Sequence, residues 1–103
     1  MLLILNKYRN SNTIEKGILM ILDEARKEIN NIDSEIVSLL ERRFNVVLKV
    51  GKYKKENNLP VLDEEREKKV IKNCISKLNN KDFSKSVEEI YKQIMDSCKD
   101  LEK

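Results

Sequence analysis

The stretch that decides the fold is residues 22–57, LDEARKEINNIDSEIVSLLERRFNVVLKVGKYKKEN. Its apolar residues recur at alternating three- and four-residue steps, which places them on one stripe of an α-helix. The members of the stripe are Leu22, Ala25, Ile29, Ile32, Ile36 and Leu39. Because the segment has no proline and only Gly51 to interrupt it, it predicts one helix of about 36 residues, about three times the average length.

Two cations stand in this stripe where the pattern requires apolar side chains. The rhythm continues from Leu39 through Arg43, Val46 or Val47, Val50 and Lys54. A buried cation needs a partner. Arg43 and Lys54 lie on one face of the helix, about 16 Å apart at the backbone, and their side chains leave a gap that fits a small organic anion.

Arg26 has a different position on the same helix. It lies about 25 Å from Arg43 along the axis and about 100° round it. Within one chain Arg26 therefore cannot reach the ligand that Arg43 and Lys54 would hold, although an antiparallel partner could bring it there.

Composition predicts an all-α fold in one domain. The 103 residues are 38% charged and 5% aromatic, with two glycines and one proline, which is typical of a helical bundle. The net charge of +3 comes from interspersed charges, so we expect a solvated mixed surface and no nucleic-acid partner.

The sequence contains no histidine, which removes the usual base of a catalytic triad and the commonest metal ligand. Cys74 and Cys98 have neither metal-ligand nor disulfide spacing, so we interpret them as small buried side chains. We therefore expect no metal site.

Residues 1–20 form a separate N-terminal extension. Its apolar runs are too short for a signal peptide or a membrane span and are separated by polar residues. We expect a weakly ordered extension over 1–20, a helical domain over 21–103, no membrane contact and a cytoplasmic location.

Two shorter helices follow the long one. The Asn57-Asn58 pair and Pro60 predict a turn, and Asp63 is the expected N-cap of a helix that runs to Leu78. Its apolar stripe comprises Val70, Ile71, Cys74, Ile75 and Leu78, with Glu67 one turn earlier. A third helix is expected to follow, with Ser84 or Ser86 as its N-cap. Its inner face comprises Val87, Ile90, Tyr91, Ile94, Cys98 and Leu101, with Glu102 on the same face.

The lengths of these helices predict a dimer. At roughly 24 to 27 Å each, the second and third helices could cover only part of the first. A two-fold symmetric pair of antiparallel long helices, with the shorter helices wrapped across them, would bury both stripes.

From Leu22 to its C-terminus the chain resembles the all-helical class of chorismate mutases, which are intertwined homodimers of three-helix subunits. Five stretches carry the resemblance, in order and at the right separations. They are Ala25-Arg26-Lys27-Glu28-Ile29, Ile32-Asp33, Leu39-Leu40 through Arg42-Arg43, Val50-Gly51-Lys52-Tyr53-Lys54 and Pro60-Val61-Leu62-Asp63-Glu64-Glu65-Arg66-Glu67. The function implied is the rearrangement of chorismate to prephenate in aromatic amino acid biosynthesis, without metal or cofactor.

The resemblance also implies roles for individual residues. Arg43 and the partner subunit's Arg26 would bind the two carboxylates of chorismate. Lys54 would donate to the ether oxygen of the breaking bond. Glu67 and the backbone at Asp63 would hold the ring hydroxyl.

Arg66 would add positive potential to the same site. The last helix departs from the family pattern, which usually has Ser and Gln where this chain has Cys98 and Glu102. Cys98 is a weaker hydrogen-bond donor than Ser, and Glu102 can donate to the ether oxygen only when it is protonated. The sequence therefore predicts activity that falls as rising pH ionises Glu102.

Other interpretations remain open at this stage. An isochorismate pyruvate lyase on the same fold would use similar cations, and a non-catalytic dimerisation or regulatory module would need none of them. Locally, Arg26 could pair with Asp33, and Glu67 with Lys68 or Lys72. Gly51 is interpreted as a close-packing position, since no strand precedes it as in a phosphate-binding loop.

Overall fold

The structure, a computed structural model, describes residues 12–103. Within them the chain is all-α, as predicted: α1 (Asn12–Glu56), α2 (Glu64–Ser76), a 3-10 turn (Lys81–Phe83) and α3 (Ser84–Glu102). The chain divides into two compact units, of which the first ends at Leu40 and the second is Glu41–Lys103. Helix α1 runs through both.

Helix α1 begins ten residues earlier than the predicted Leu22. Ile14 and Ile18 extend the stripe backwards from Leu22 in four-residue steps, and Glu15 lies in the first turn, where the helix dipole favours an acid. Residues 12–20 of the predicted extension are therefore helical, whereas the remainder of it lies outside the described residues.

The turn after α1 forms where the asparagine pair predicted it. Asn58 adopts a left-handed conformation, with φ of 55°, which asparagine tolerates better than most residues. The Leu59 amide donates to the Lys54 carbonyl at 2.8 Å and satisfies one of the last carbonyls of the helix.

Helix α2 begins at its predicted cap and ends two residues early. The carboxylate of Asp63 accepts a hydrogen bond from the Arg66 amide at 3.0 Å, which confirms it as the N-cap. The helix ends at Ser76 rather than Leu78. The Lys81 ammonium donates to the carbonyls of Ile75 and Ser76, which stabilises this earlier end.

Both caps predicted for α3 are wrong, because Ser84 and Ser86 are the first and third residues of the helix. The N-cap is Phe83, which makes no side-chain cap hydrogen bond. Asn80 caps the preceding 3-10 turn by accepting from the Asp82 amide at 2.9 Å, and this turn leads directly into Ser84. The Ser84 hydroxyl donates backwards to the Lys81 carbonyl at 2.7 Å.

The second unit has a small core where α2 packs against α3 and the end of α3 meets the last turns of α1. Met95 and Cys98 are the buried apolar side chains among residues 13–103. Ile90 and Leu101, predicted on the inner face, are exposed, because the buried line of α3 runs through Met95, Cys98 and Glu102. Cys74 is half-buried rather than buried, and both cysteines are free thiols.

The first unit consists of α1 up to Leu40, and its apolar stripe is exposed. Ile29, Ile32, Ile36 and Leu39 retain between 46% and 56% of their accessible surface. Apolar side chains at helical spacing normally face a packing partner. This part of the stripe is therefore left uncovered by residues 12–103.

Candidate active site

A cavity of about 300 Å³ lies in the second unit among α1, α2, α3 and the loop that precedes α2. Its apolar walls come from five valines and a methionine, and its polar groups are cations, carboxylates and one thiol. The lining residues are Arg43, Val46, Val47, Val50, Lys54, Val61, Asp63, Arg66, Glu67, Val70, Met95, Cys98, Lys99 and Glu102. An apolar cavity with a few convergent polar groups is typical of a small-ligand site.

Lys54 and Glu102 meet at one end of this cavity. The Lys54 Nζ lies 2.9 Å from the Glu102 Oε1, and it also donates to the Val61 carbonyl at 3.0 Å. The Glu102 side chain is only 9% exposed, so the ion pair is largely shielded from water.

Gly51 explains how Glu102 comes so close to α1. A Cβ added at Gly51 would lie 2.9 Å from the Glu102 Cα and 3.1 Å from its carbonyl oxygen. Only a residue without a side chain allows this approach of the two helices. The interpretation of Gly51 as a close-packing position is confirmed.

Arg43 contacts the thiol of Cys98, a position at which the family that this chain resembles usually has serine. Its Nη1 donates to the Cys98 Sγ at 2.9 Å. Burial raises the pKa of the Cys98 thiol, and the neighbouring guanidinium offsets this only in part. Cys98 is therefore a neutral hydrogen-bond acceptor for Arg43 in the ligand-free site.

Glu67 pairs across the helices with Lys99, and not with Lys68 or Lys72. The Lys99 Nζ lies 2.9 Å from the Glu67 Oε1 and 3.1 Å from the Asp96 Oδ1. These two hydrogen bonds, Glu67 first, raise the pKa of Lys99 above its ordinary value.

Lys99 was not among the site residues predicted from the sequence. The available signal was its position, four residues after Met95 and three before Glu102, on the face that carries Cys98. A lysine there resembles an ordinary solvent-exposed residue, because only the packing of α2 shows which carboxylate faces it.

The structure brings together all but one of the predicted site residues. Arg43, Lys54, Asp63, Arg66, Glu67, Cys98 and Glu102 line the cavity, with Asp63 and Arg66 at its exposed edge. Arg26 is not a lining residue; it is exposed on α1. It forms no ion pair with Asp33 in the structure.

Two guanidinium groups at the cavity have no ion-pair partner among the described residues. Lys54 is paired with Glu102, and Lys99 with Glu67. Within residues 12–103, Arg43 and Arg66 make no ion pair with any carboxylate. The cavity therefore offers two unneutralised cations in addition to two cation–carboxylate pairs.

Comparison with known proteins assigns this chain to a family. Residues 25–103 match the family model described as chorismate mutase type II. The chain belongs to this all-α family, which confirms the resemblance and the fold class predicted from the sequence.

Individual relatives agree with this assignment. The chain is 36% identical over 87 residues to the bifunctional chorismate mutase/prephenate dehydratase of Aquifex aeolicus, covering 80% of this chain and 24% of that protein. It is 52% identical over 50 residues to the enzyme of the same name from Buchnera aphidicola, covering 48% and 13%. The chain thus spans about a quarter or less of the length of these curated relatives.

A solved structure has the same fold. It is a conserved hypothetical protein from Pyrococcus furiosus, 35% identical, which matches with a TM-score of 0.67 over 80% of this chain and 95% of its own. Separately, none of the helices in residues 12–103 combines the length and apolarity needed to cross a membrane.

Proposed function

We propose that the chain is a chorismate mutase that rearranges chorismate to prephenate in phenylalanine and tyrosine biosynthesis, in the cytoplasm. The observation that carries the proposal is the pair of unneutralised guanidinium groups, Arg43 and Arg66, beside Lys54 at a small apolar cavity. Chorismate is a small dianion, and its rearrangement breaks an ether C–O bond while it forms a C–C bond, with no atom gained or lost. Such a reaction needs a held conformation and a cation near the ether oxygen, rather than a nucleophile.

Arg43 is proposed to bind one substrate carboxylate. Its contact with a neutral thiol is weaker than a bidentate guanidinium–carboxylate pair, so the substrate can displace it at low cost. Arg66 at the edge of the cavity adds positive potential. Val46, Val47 and Val50 give the same cavity an apolar lining.

Lys54 and Glu102 are proposed to act together on the ether oxygen. Their contact at 2.9 Å means that both can reach one substrate atom. When the substrate enters, the Lys54 ammonium donates to the ether oxygen, where negative charge develops. Glu102 then contributes a second donor only in its protonated form, because an ionised carboxylate has no proton to donate.

Glu67 is proposed to accept a hydrogen bond from the ring hydroxyl, together with the backbone near Asp63. The Glu67 carboxylate lies on α2 at the cavity wall, where it remains half-buried. A carboxylate that accepts from a hydroxyl selects substrates that carry this group, since an analogue without it leaves a polar group unpaired.

The active form is proposed to be a homodimer in which the partner subunit's Arg26 completes the site. The exposed stripe Ile29, Ile32, Ile36 and Leu39 supports this proposal, since a second copy would bury it. Arg26 is one turn before Ile29 on α1, so an antiparallel copy seated on the stripe carries its guanidinium towards the cavity.

The first experiment is a turnover assay with the purified chain. Loss of chorismate absorbance with formation of prephenate is the expected result. Release of pyruvate from isochorismate would instead support the lyase on the same fold. Inactivity towards both substrates would support a non-catalytic helical module.

The second experiment tests the shared site by mixing two inactive variants. Arg26→Ala and Arg43→Ala subunits, mixed in equal amounts and allowed to exchange, should regain about a quarter of the wild-type activity, because half of the dimers are mixed and carry one intact site. If the mixture stays as inactive as its components, Arg26 does not act in trans.

A further inference from the structure

Lys99 is the charged residue of the cavity to which the proposed mechanism gives no role. It projects from α3 and reaches Glu67 on α2, with its ammonium 2.9 Å from the Glu67 Oε1. Both side chains are about a quarter exposed, at 27% and 24%. The pair therefore belongs to the cavity wall rather than to the open surface.

Asp96 is a second carboxylate partner of the Lys99 ammonium. It lies one turn earlier on α3, and its Oδ1 is 3.1 Å from the Lys99 Nζ. Two carboxylates on one ammonium hold Lys99 in its charged form, as the raised pKa of Lys99 also indicates. The Lys99 ammonium thus has a defined position before any ligand enters.

The negative charge of Glu67 affects how strongly a dianionic ligand can bind in the cavity. An ionised carboxylate on the wall of an apolar cavity repels a doubly negative molecule, and shielding by water is weak there. An ionised Glu67 is nevertheless the stronger acceptor for a hydrogen bond from the ligand. A cation held next to this carboxylate reduces the repulsion and preserves the strong acceptor.

We propose that Lys99 is a positioning residue that holds the Glu67 carboxylate at the cavity wall and compensates its charge, so that a dianionic substrate can bind beside it. This proposal rests on the proposed function. It adds to that function a residue of α3 that does not itself touch the reacting bond. Its effect should fall on substrate binding and not on the chemical step.

The test compares three variants with the wild type in the mutase assay. Lys99→Met removes the charge and keeps the length of the side chain, Lys99→Arg keeps the charge, and Lys85→Met removes a charge from an exposed position on the same helix outside the cavity. Lys99→Met should raise KM for chorismate about fivefold, with kcat within about twofold, since a partly exposed ion pair contributes about one tenfold step at most. Lys99→Arg and Lys85→Met should stay close to the wild type.

A measurement without substrate tests the ion pair itself. Denaturant unfolding of Lys99→Met, Glu67→Gln and the double variant forms a double-mutant cycle. Non-additive shifts of the unfolding midpoint are expected, because each single variant already breaks the pair.

The outcomes separate this proposal from the proposed function. A wild type with turnover whose KM is unaffected by Lys99→Met overturns the role of Lys99 and leaves the mutase assignment intact. A fall in kcat with unchanged KM also overturns it, as do additive midpoints in the cycle. A wild type without turnover overturns the proposed function, and with it the substrate role of Lys99.

Discussion

The two units of the chain use one helical stripe in opposite ways. Up to Leu40, α1 exposes Ile29, Ile32 and Ile36, and no other part of the chain that the structure describes covers them. From Glu41 onwards the same spacing continues through Arg43 and Lys54. Arg43 contacts Cys98 on α3, and Lys54 contacts Glu102 on the same helix. Apolar periodicity therefore marks a surface that requires a partner without indicating whether the partner belongs to the same chain.

The largest expected effect comes from breaking the uncovered part of the stripe. Ile36→Asp places a charge where a second copy would bury an apolar side chain, so the dimer should dissociate and turnover at low protein concentration should fall by about a hundredfold or more. Sedimentation and activity across a dilution series would measure both effects.

The control for this change is Val37→Asp. Val37 is 63% exposed and lies about 100° away from Ile36 round the helix. It should leave the oligomeric state and the turnover unchanged. A monomeric wild type that turns over chorismate at full rate would contradict the role given to the first unit.

The next effect concerns pH in the second unit. In the proposed mechanism Glu102 donates to the ether oxygen only when protonated, whereas the amide of Glu102→Gln can always donate, so wild-type kcat should fall as pH rises and that of Glu102→Gln should not. Steady-state kinetics of both proteins over a range of pH would decide. Flat and equal profiles for both proteins would mean that Glu102 is not a donor.

The two glycines of α1 provide a direct comparison between the units. Gly51→Ala forces the Glu102 backbone away, and we expect a loss of stability of about 1–3 kcal/mol together with reduced kcat, as the Lys54–Glu102 contact opens. A Cβ at Gly17 meets nothing within 4 Å. Gly17→Ala should therefore stabilise the chain by up to about 1 kcal/mol, since alanine is the better helix former. Denaturant unfolding of both variants measures the contrast, and equal shifts would contradict the close packing at Gly51.

The smallest expected effect is that of Cys98→Ser. A hydroxyl oxygen accepts from Arg43 at least as well as a thiol, so turnover should change by no more than about threefold. The raised pKa of the Cys98 thiol stabilises the folded state below about pH 8.5, and that stabilisation is lost as pH rises through the folded-state value. Wild-type stability should thus decline more steeply than that of Cys98→Ser at alkaline pH, and parallel curves would show that the thiol is not buried as described.

Most of the fold was predictable because it depends on local periodicity and on turn residues. The stripe from Leu22 to Leu39 predicted α1, and Asp63 and Asn58 predicted the cap and the turn that separate α1 from α2. The start of α1 was misjudged because the polar residues between Met1 and Ile18 obscured a continuing four-residue step. The cap of α3 was misjudged because the 3-10 turn that Asn80 caps leads directly into the helix, so that Ser84 and Ser86 lie inside it.

The candidate site was predictable only as far as helical faces determine it. Arg43, Lys54 and Glu67 could be placed on inner faces by counting turns, and the resemblance to a family supplied their roles. The partners of Glu67 and Arg43 could not be predicted, because they depend on how α3 lies against α2 and α1. Lys99 and the Arg43–Cys98 contact emerge only at that level.

The ion pair between Lys54 and Glu102 also has a consequence for inhibitor design. Any ligand that engages the Lys54 ammonium must first compete with an internal carboxylate, so part of its gross affinity is cancelled by the broken pair. A compound that leaves this pair intact and spans only Arg43 and Arg66 avoids that loss. For this pocket, tight binding and mimicry of the reacting ether are therefore separate objectives.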